Sequence, residues 1–248
     1  MVDTIAEEFT GDSIALIAVE ANLEIPPVFQ MRKSKKGGHR RTAEARNEIV
    51  TPSGERLEQY WRFGVPEPYE LPGPLDQDVW VAVQALVDRR GGMPLDGKVS
   101  FEIAELVEIM NKSKSGQLYE AIKHSLLLLS SMHIHAENAF YSQDTEELET
   151  RTFRLWDVKL STSRNKKRAT SSERNVLEFH EVLVRSFRAN YLKGLDPEFY
   201  YSLDHTLSKR LYRLIDRKRH ENLSWSSELE RMKQMVPLAP SYKHNSKI

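Results

Sequence analysis

The 248-residue chain contains no cysteine, which excludes disulfides, thiolate zinc sites and a cysteine nucleophile. It also lacks any apolar run near the roughly 18 residues that a membrane-spanning helix needs. The longest, Ile14 to Val19, is far too short, and acids stand where a signal peptide would carry its basic first segment. No glycine-rich phosphate loop of the Walker type is present, and nothing in the sequence calls for a cofactor. These absences predict a cytoplasmic protein with no membrane partner. Neither sign of charge prevails: 36 Lys and Arg balance 36 Asp and Glu. The balance is a sum of opposed blocks. Met1 to Gln30 holds six acids and no Lys or Arg, Met31 to Arg46 has seven bases against Glu44 alone, and Arg151 to Lys193 has eleven bases against four acids. Such blocks can meet a polyanion locally even when the total is zero.

What is present is an ordered run of amphipathic patterns. Residues 1–59 show little periodicity, a basic cluster from Lys33 to Arg41 and several prolines, so they read as a largely flexible acidic and basic arm. Tyr60, Trp61, Phe63 and Val65 are apolar enough to pack as an edge strand onto the segment that begins at Asp76. Asp76 to Val87 carries Val79, Trp80, Val83, Leu86 and Val87 at helical spacing and is stopped by Gly91-Gly92 and Pro94. A second helix is predicted from Phe101 to Met110. Ser115 is placed to cap a third, with Leu118, Ile122, Leu126 and Leu129 as its buried stripe. The period then changes to two: His133 to Glu137 is predicted to pair with Thr152 to Val158 across an acidic loop from Gln143 to Glu149. Beyond a basic loop, Val176 to Val184 reads as a strand and Val184 to Leu192 as a helix. Phe199 to Leu203 is short and aromatic, Asp204 to His220 is a strong helix, and Ser224 to Met235 is a last short one.

Three helices followed by a ribbon are the plan of an α+β winged helix, with the 133–158 ribbon as its wing. The turn joining the second and third helices, Asn111 to Gln117, is short, polar and basic. Lys112, Ser113, Lys114, Ser115, Gln117 and Lys123 are therefore candidate DNA-contacting residues: a helix N-terminus offers backbone amides and a positive dipole to phosphate, and Gln117 can reach a base edge. The competing reading is a merely solvated face. Arg164, Lys166, Lys167 and Arg168 form a candidate clamp on the phosphate backbone. Lys209, Arg210 and Arg213 recur at helical spacing and are read as further phosphate contacts, the alternative being internal ion pairs. His133-Ile134-His135 puts two imidazoles on one strand face, a pattern that metal-dependent origin nickases use. Here neither a third ligand nor a suitable tyrosine is evident, since Tyr191 and Tyr119 have no special claim, so no metal ligand and no catalytic residue is assigned. Asp144, Glu146, Glu147 and Glu149 would repel phosphate, so that tip points away from DNA or meets protein.

From about Trp61 to Pro240 the chain resembles the replication initiator protein A family of bacterial plasmids. The resemblance lies in Leu75-Asp76-Gln77-Asp78-Val79, Val99-Ser100-Phe101, Gly116-Gln117-Leu118-Tyr119-Glu120, Tyr201-Ser202-Leu203 and Lys209-Arg210-Leu211-Tyr212-Arg213-Leu214, in that order. It implies a non-enzymatic initiator of two tandem winged-helix lobes that binds repeated sequences in double-stranded origin DNA and recruits host replication proteins. It also implies a homodimer that represses and a monomer that initiates. On this reading residues 60–203 are the first lobe, and 204–248 are a linking helix and the start of a second lobe that stops before its base-reading helix. A winged-helix transcriptional regulator is the alternative from the class of binding modules.

Overall fold

A computed structural model describes residues 15–31, 40–50, 54–161, 175–219 and 224–236. Its centre is α1 (Pro74–Arg89). Pro74 starts the helix where its missing N–H costs nothing, and the Asp76 carboxylate accepts the Gly73 N–H at 2.6 Å. Every residue from Asp76 to Val87 is buried, so the apolar stripe read from the sequence is only one side of a helix enclosed all round. The order continues as β4 (Lys98–Ser100), α2 (Ile103–Ile109) and α3 (Gly116–Ser131). Ser115 caps α3 as its sequence position predicts, its Oγ accepting the Leu118 N–H at 3.2 Å. Ile122, Leu126 and Leu129 are fully buried against α1 and α2.

Two larger antiparallel sheets and one two-stranded one accompany these helices. One has the order β4, β8 (Asn175–Phe179), β7 (Trp156–Leu160), with Leu160 opposite Asn175 at the end of the β7–β8 hairpin. Trp156 stacks on Trp80 of α1 at 5.6 Å between ring centroids. The other has the order β2 (Thr42–Val50), β3 (Arg56–Gly64), β5 (His133–Ser142), β6 (Glu147–Phe153).

This arrangement changes the ribbon. Ile134 does face Phe153 and His135 faces Thr152, but the strand ends at Phe153, and Trp156 to Leu160 belongs to the other sheet. Nor is the ribbon free-standing, because β5 also pairs with β3. Tyr60 to Gly64 is accordingly an inner strand rather than an edge. Local alternation could not show this, since the β3–β5 pairing joins residues about 70 apart in sequence. Near the C-terminal end the strand predicted at Val176 to Val184 divides into β8 and α4 (Glu181–Arg188), followed by β9 (Leu192–Leu195), α5 (Pro197–Ser202), α6 (Thr206–Arg219) and α7 (Leu229–Met235).

The segment read as a flexible arm contributes to the core. Residues Ile17–Glu20 form β1, antiparallel to β9, and a 3₁₀ turn follows at Asn22–Glu24. Ile17, Val19, Leu23, Val28 and Phe29 are buried. The Glu20 N–H donates to Gln84 Oε1 at 2.7 Å, and the Glu20 carboxylate accepts from Asn22 and from Ser186. Burial raises the pKa of Glu20, the hydrogen bonds opposing that rise. The segment looked structureless because its partners lie far along the chain, on α1, α4 and β9. Most of the basic cluster, residues 32–39, lies outside the described residues.

Gly97 shows how tightly the β4 entry is held. Its φ is +66°, and a Cβ there would stand 2.8 Å from Val184 Cγ2 and 3.2 Å from the Phe179 carbonyl oxygen. Gly97→Ala is expected to lower stability by roughly 1–3 kcal/mol, from combined backbone strain and steric overlap. Thermal and urea denaturation check this, and a loss of only a few tenths would show that the β4–α4 junction yields.

Candidate nucleic-acid interface

The turn between α2 and α3 is built by backbone hydrogen bonds. Asn111 adopts a left-handed φ of 51°, its N–H donates to Glu108 O at 2.9 Å, and the Lys112 N–H donates to Val107 O at 3.1 Å. That closure ends α2 and projects the next residues outward. Lys112, Ser113, Lys114, Ser115 and Gln117 are all exposed, and the segment 111–117 contains no acid. Lys114 has no ion partner among the described residues. Lys112 Nζ lies 4.0 Å from Asp78 Oδ2, the outer limit of an ion pair. Lys123 pairs with Glu120 at 2.7 Å, one turn away on the helix surface. An exposed pair of this kind is worth about 0.3–0.5 kcal/mol, so a phosphate can displace it. The face is thus cationic at the mouth of α3, with the amides of the first turn behind it. The acidic tip carrying Asp144, Glu146 and Glu147 belongs to the β5–β6 hairpin, which starts beyond the other end of α3. The 16 residues of α3 span roughly 24 Å from its mouth to the start of β5.

The basic helix α6 behaves otherwise. Lys209, Arg210 and Arg213, read as phosphate contacts, are buried. Arg213 forms a two-pronged pair with Glu24, Nε donating to Oε2 at 2.8 Å and Nη2 to Oε1, with both side chains at 1% exposure or less. Burial opposes the charge of Arg213, but the Glu24 carboxylate outweighs it and the pKa rises. Arg210 donates to the carbonyl oxygens of Glu24 at 2.7 Å, Ile25 at 2.6 Å and Met235 at 2.8 Å. With only carbonyls as partners, burial first and the neighbouring Arg213 second pull its pKa down to about 9. Lys209 donates to Asp78 Oδ1 at 2.8 Å and lies 4.9 Å from the Tyr200 ring centre. Tyr200 in turn donates to Asp78 and accepts from Gln77, and burial pushes its pKa well up. These cations are matched inside the molecule, and the donor left over, Arg213 Nη1, is itself buried and presents nothing to a ligand. Helical spacing showed that they share a face; it could not show that the face turns inward, because Glu24 and Asp78 are 189 and 131 residues away from their partners.

A family model described as replication initiator protein A matches residues 65–244, most of the chain. The chain belongs to the replication initiator protein A family. The span agrees with the resemblance read from about Trp61 to Pro240. Among solved structures, a crystal structure of selenomethionine derivatives of domains 2 and 3 of RctB is similar, with a TM-score of 0.56 and 14% identity over 88% of this chain and 77% of that one. A second crystal structure of RctB domains 2–3 gives 0.52 and 16% over 84% and 74%. At this identity the likeness is one of fold. A comparison with curated proteins gives no match.

In this member of the initiator family the matched span takes in both the cationic turn and α6. Arg164, Lys166, Lys167 and Arg168 lie outside the described residues, in the segment that joins β7 to β8. Lys159, exposed on β7 and leading into that segment, was not singled out from the sequence; its alternation with buried Trp156 was the available signal. His133 and His135 both occupy the outward side of β5, and His135 Nδ1 is 2.8 Å from Thr152 Oγ1. Among the described residues no group of three or more His, Asp or Glu converges as a metal site. Tyr191, one of the tyrosines considered for nicking, has its hydroxyl engaged by Arg217 at 2.6 Å; Tyr119 is half-buried against the core. No helix among the described residues is long and apolar enough to cross a membrane.

Proposed function

We propose that this family member is a DNA-binding initiator that recognises repeated sequences in the duplex of a plasmid origin. On this reading α1, β4, α2, α3, β7 and β8 make up a winged helix. The first turn of α3 enters the major groove, Gln117 reads a base edge, and Lys112, Lys114, Ser113 and Ser115 hold the flanking phosphates, with Lys123 releasing Glu120 to join them. The wing is the β7–β8 hairpin, and Arg164, Lys166, Lys167 and Arg168 supply further phosphate contacts. The β5–β6 hairpin stays clear of DNA, which accounts for its acids. The observation that carries the proposal is the exposed, acid-free turn from Asn111 to Gln117 at the N-terminus of α3. The protein works as a non-enzymatic cytoplasmic factor, represses as a homodimer and hands the origin to host replication proteins.

Binding of the full chain to origin-repeat duplex across a series of salt concentrations tests the core of this reading. Affinity is expected to fall steeply, with a log–log slope of about −0.9 per phosphate contacted. Salt-independent binding, or equal affinity for repeat and scrambled duplex, would remove it.

A further inference from the structure

The outward face of the four-stranded sheet carries a hollow that the proposed DNA contact does not use. Thr42, Gly64 and His133 lie side by side across β2, β3 and β5, and in the adjacent row Arg62 faces His135, which faces Thr152. Gly64 supplies no side chain to its row, and a Cβ placed there would meet nothing within 4 Å. The result is an open depression of about 360 Å³ floored by Gly64 and lined by Arg62, His133, His135, Thr42 and Thr152.

The donor set decides what such a hollow holds. Two imidazoles, two hydroxyls and a guanidinium share the lining with Val65, Pro66 and Ile134, and no carboxylate lines it. Glu44 stands on the same face at 3.9 Å from Arg62 Nε, near the outer limit of an ion pair, and no hydrogen bond engages the Nη groups of Arg62 among the described residues. A divalent cation would find only two ligating side chains and a neighbouring guanidinium to repel it, so the His-hydrophobe-His pattern is not a metal chelate in this setting. His135 Nδ1 and Thr152 Oγ1 hold each other at 2.8 Å, so one of that pair is left to donate beside Thr42, His133 and Arg62, whose planar fork suits phosphate. We infer that the Gly64 hollow is a binding site for a phosphate group, presented either by a polynucleotide backbone or by a small phosphate ligand. It lies beyond the C-terminal end of α3, the helix whose other end carries the turn at Lys112 to Gln117, and is independent of the contact proposed there.

The test follows the imidazole C–H signals of His133 and His135 in the full chain while inorganic phosphate replaces chloride at constant ionic strength. Both sets of signals should move together and saturate. Arg62→Gln should weaken the apparent affinity roughly tenfold, the loss of one charge-assisted hydrogen bond. Gly64→Val fills the hollow with a residue suited to a strand and should abolish the response while leaving the thermal midpoint unchanged. A short duplex used as probe separates the sources: the same shifts at much lower concentration assign the phosphate to a polynucleotide, and shifts with inorganic phosphate alone assign it to a small ligand. No saturable shift with either probe, a response that survives Gly64→Val, or a response to zinc chloride in place of phosphate would each overturn the site.

Discussion

Replacing Glu24 by alanine should cost about 3–5 kcal/mol of folding free energy, because it strands the Arg213 guanidinium in the interior without its counter-charge. Arg213 and Glu24 are both enclosed, and Arg213 Nη1 already lacks a partner, so no spare acceptor stands ready to replace the lost carboxylate. For a chain of this size the melting temperature should drop on the order of 10 °C. The same loss appears in the urea midpoint. The exposed pair of Arg185 and Glu181 on α4 is the comparison: Glu181→Ala should cost no more than about 0.5 kcal/mol. Exchanging both buried partners for apolar residues of similar volume should recover most of the loss, since breaking a buried pair is far more damaging than replacing it. If Glu24→Ala proves as mild as Glu181→Ala, the pair is not closed to solvent, and the α6 cations return as candidates for phosphate contact.

The second large effect concerns binding rather than folding. Lys112→Gln combined with Lys114→Gln should lower affinity for origin duplex roughly hundredfold near 0.1 M salt, on the scale of two charge-assisted contacts. The salt slope should shrink by about 1 for each lysine removed. Both side chains are exposed, so the fold should be unaffected, and fluorescence anisotropy with a labelled repeat reads both quantities. Gln117→Ala should behave differently, relaxing preference between repeat and mutated repeat without changing the slope. An unchanged slope in the double lysine variant would show that the α2–α3 turn does not meet phosphate.

The contrast between Lys114 and Arg213 shows how far sequence reading reached. Both were chosen for charge, Lys114 in the polar turn that opens α3 and Arg213 at helical spacing on α6. Lys114 sits in a turn whose polarity and length already specify exposure. Arg213 sits on a helix whose Leu211, Leu214 and Ile215 mark an apolar side expected to face in; Leu214 is buried as expected, yet Ile215 is exposed and Arg213 is buried. Amphipathicity assigns the inner face by hydrophobicity alone, and it fails where a carboxylate from elsewhere in the chain makes burial of a cation tolerable. Residues 15–31 were misread for the complementary reason: a four-residue strand and one 3₁₀ turn carry too little periodicity to register, and their stability comes from pairing with β9 and from Arg210 and Arg213.

The positions of α1, α2, α3 and α6, the Ser115 cap, a ribbon directly after α3 and the family itself were decided by the sequence, because each depends on residues near one another in the chain or on short motifs in a fixed order. The tertiary structure alone decided which sheet the ribbon joins, that the N-terminal segment is part of the core, and that the cations of α6 face Glu24 and Asp78 rather than solvent. Those outcomes depend on contacts between residues about 70 to 190 apart, and local periodicity carries no information about a partner that only folding brings near.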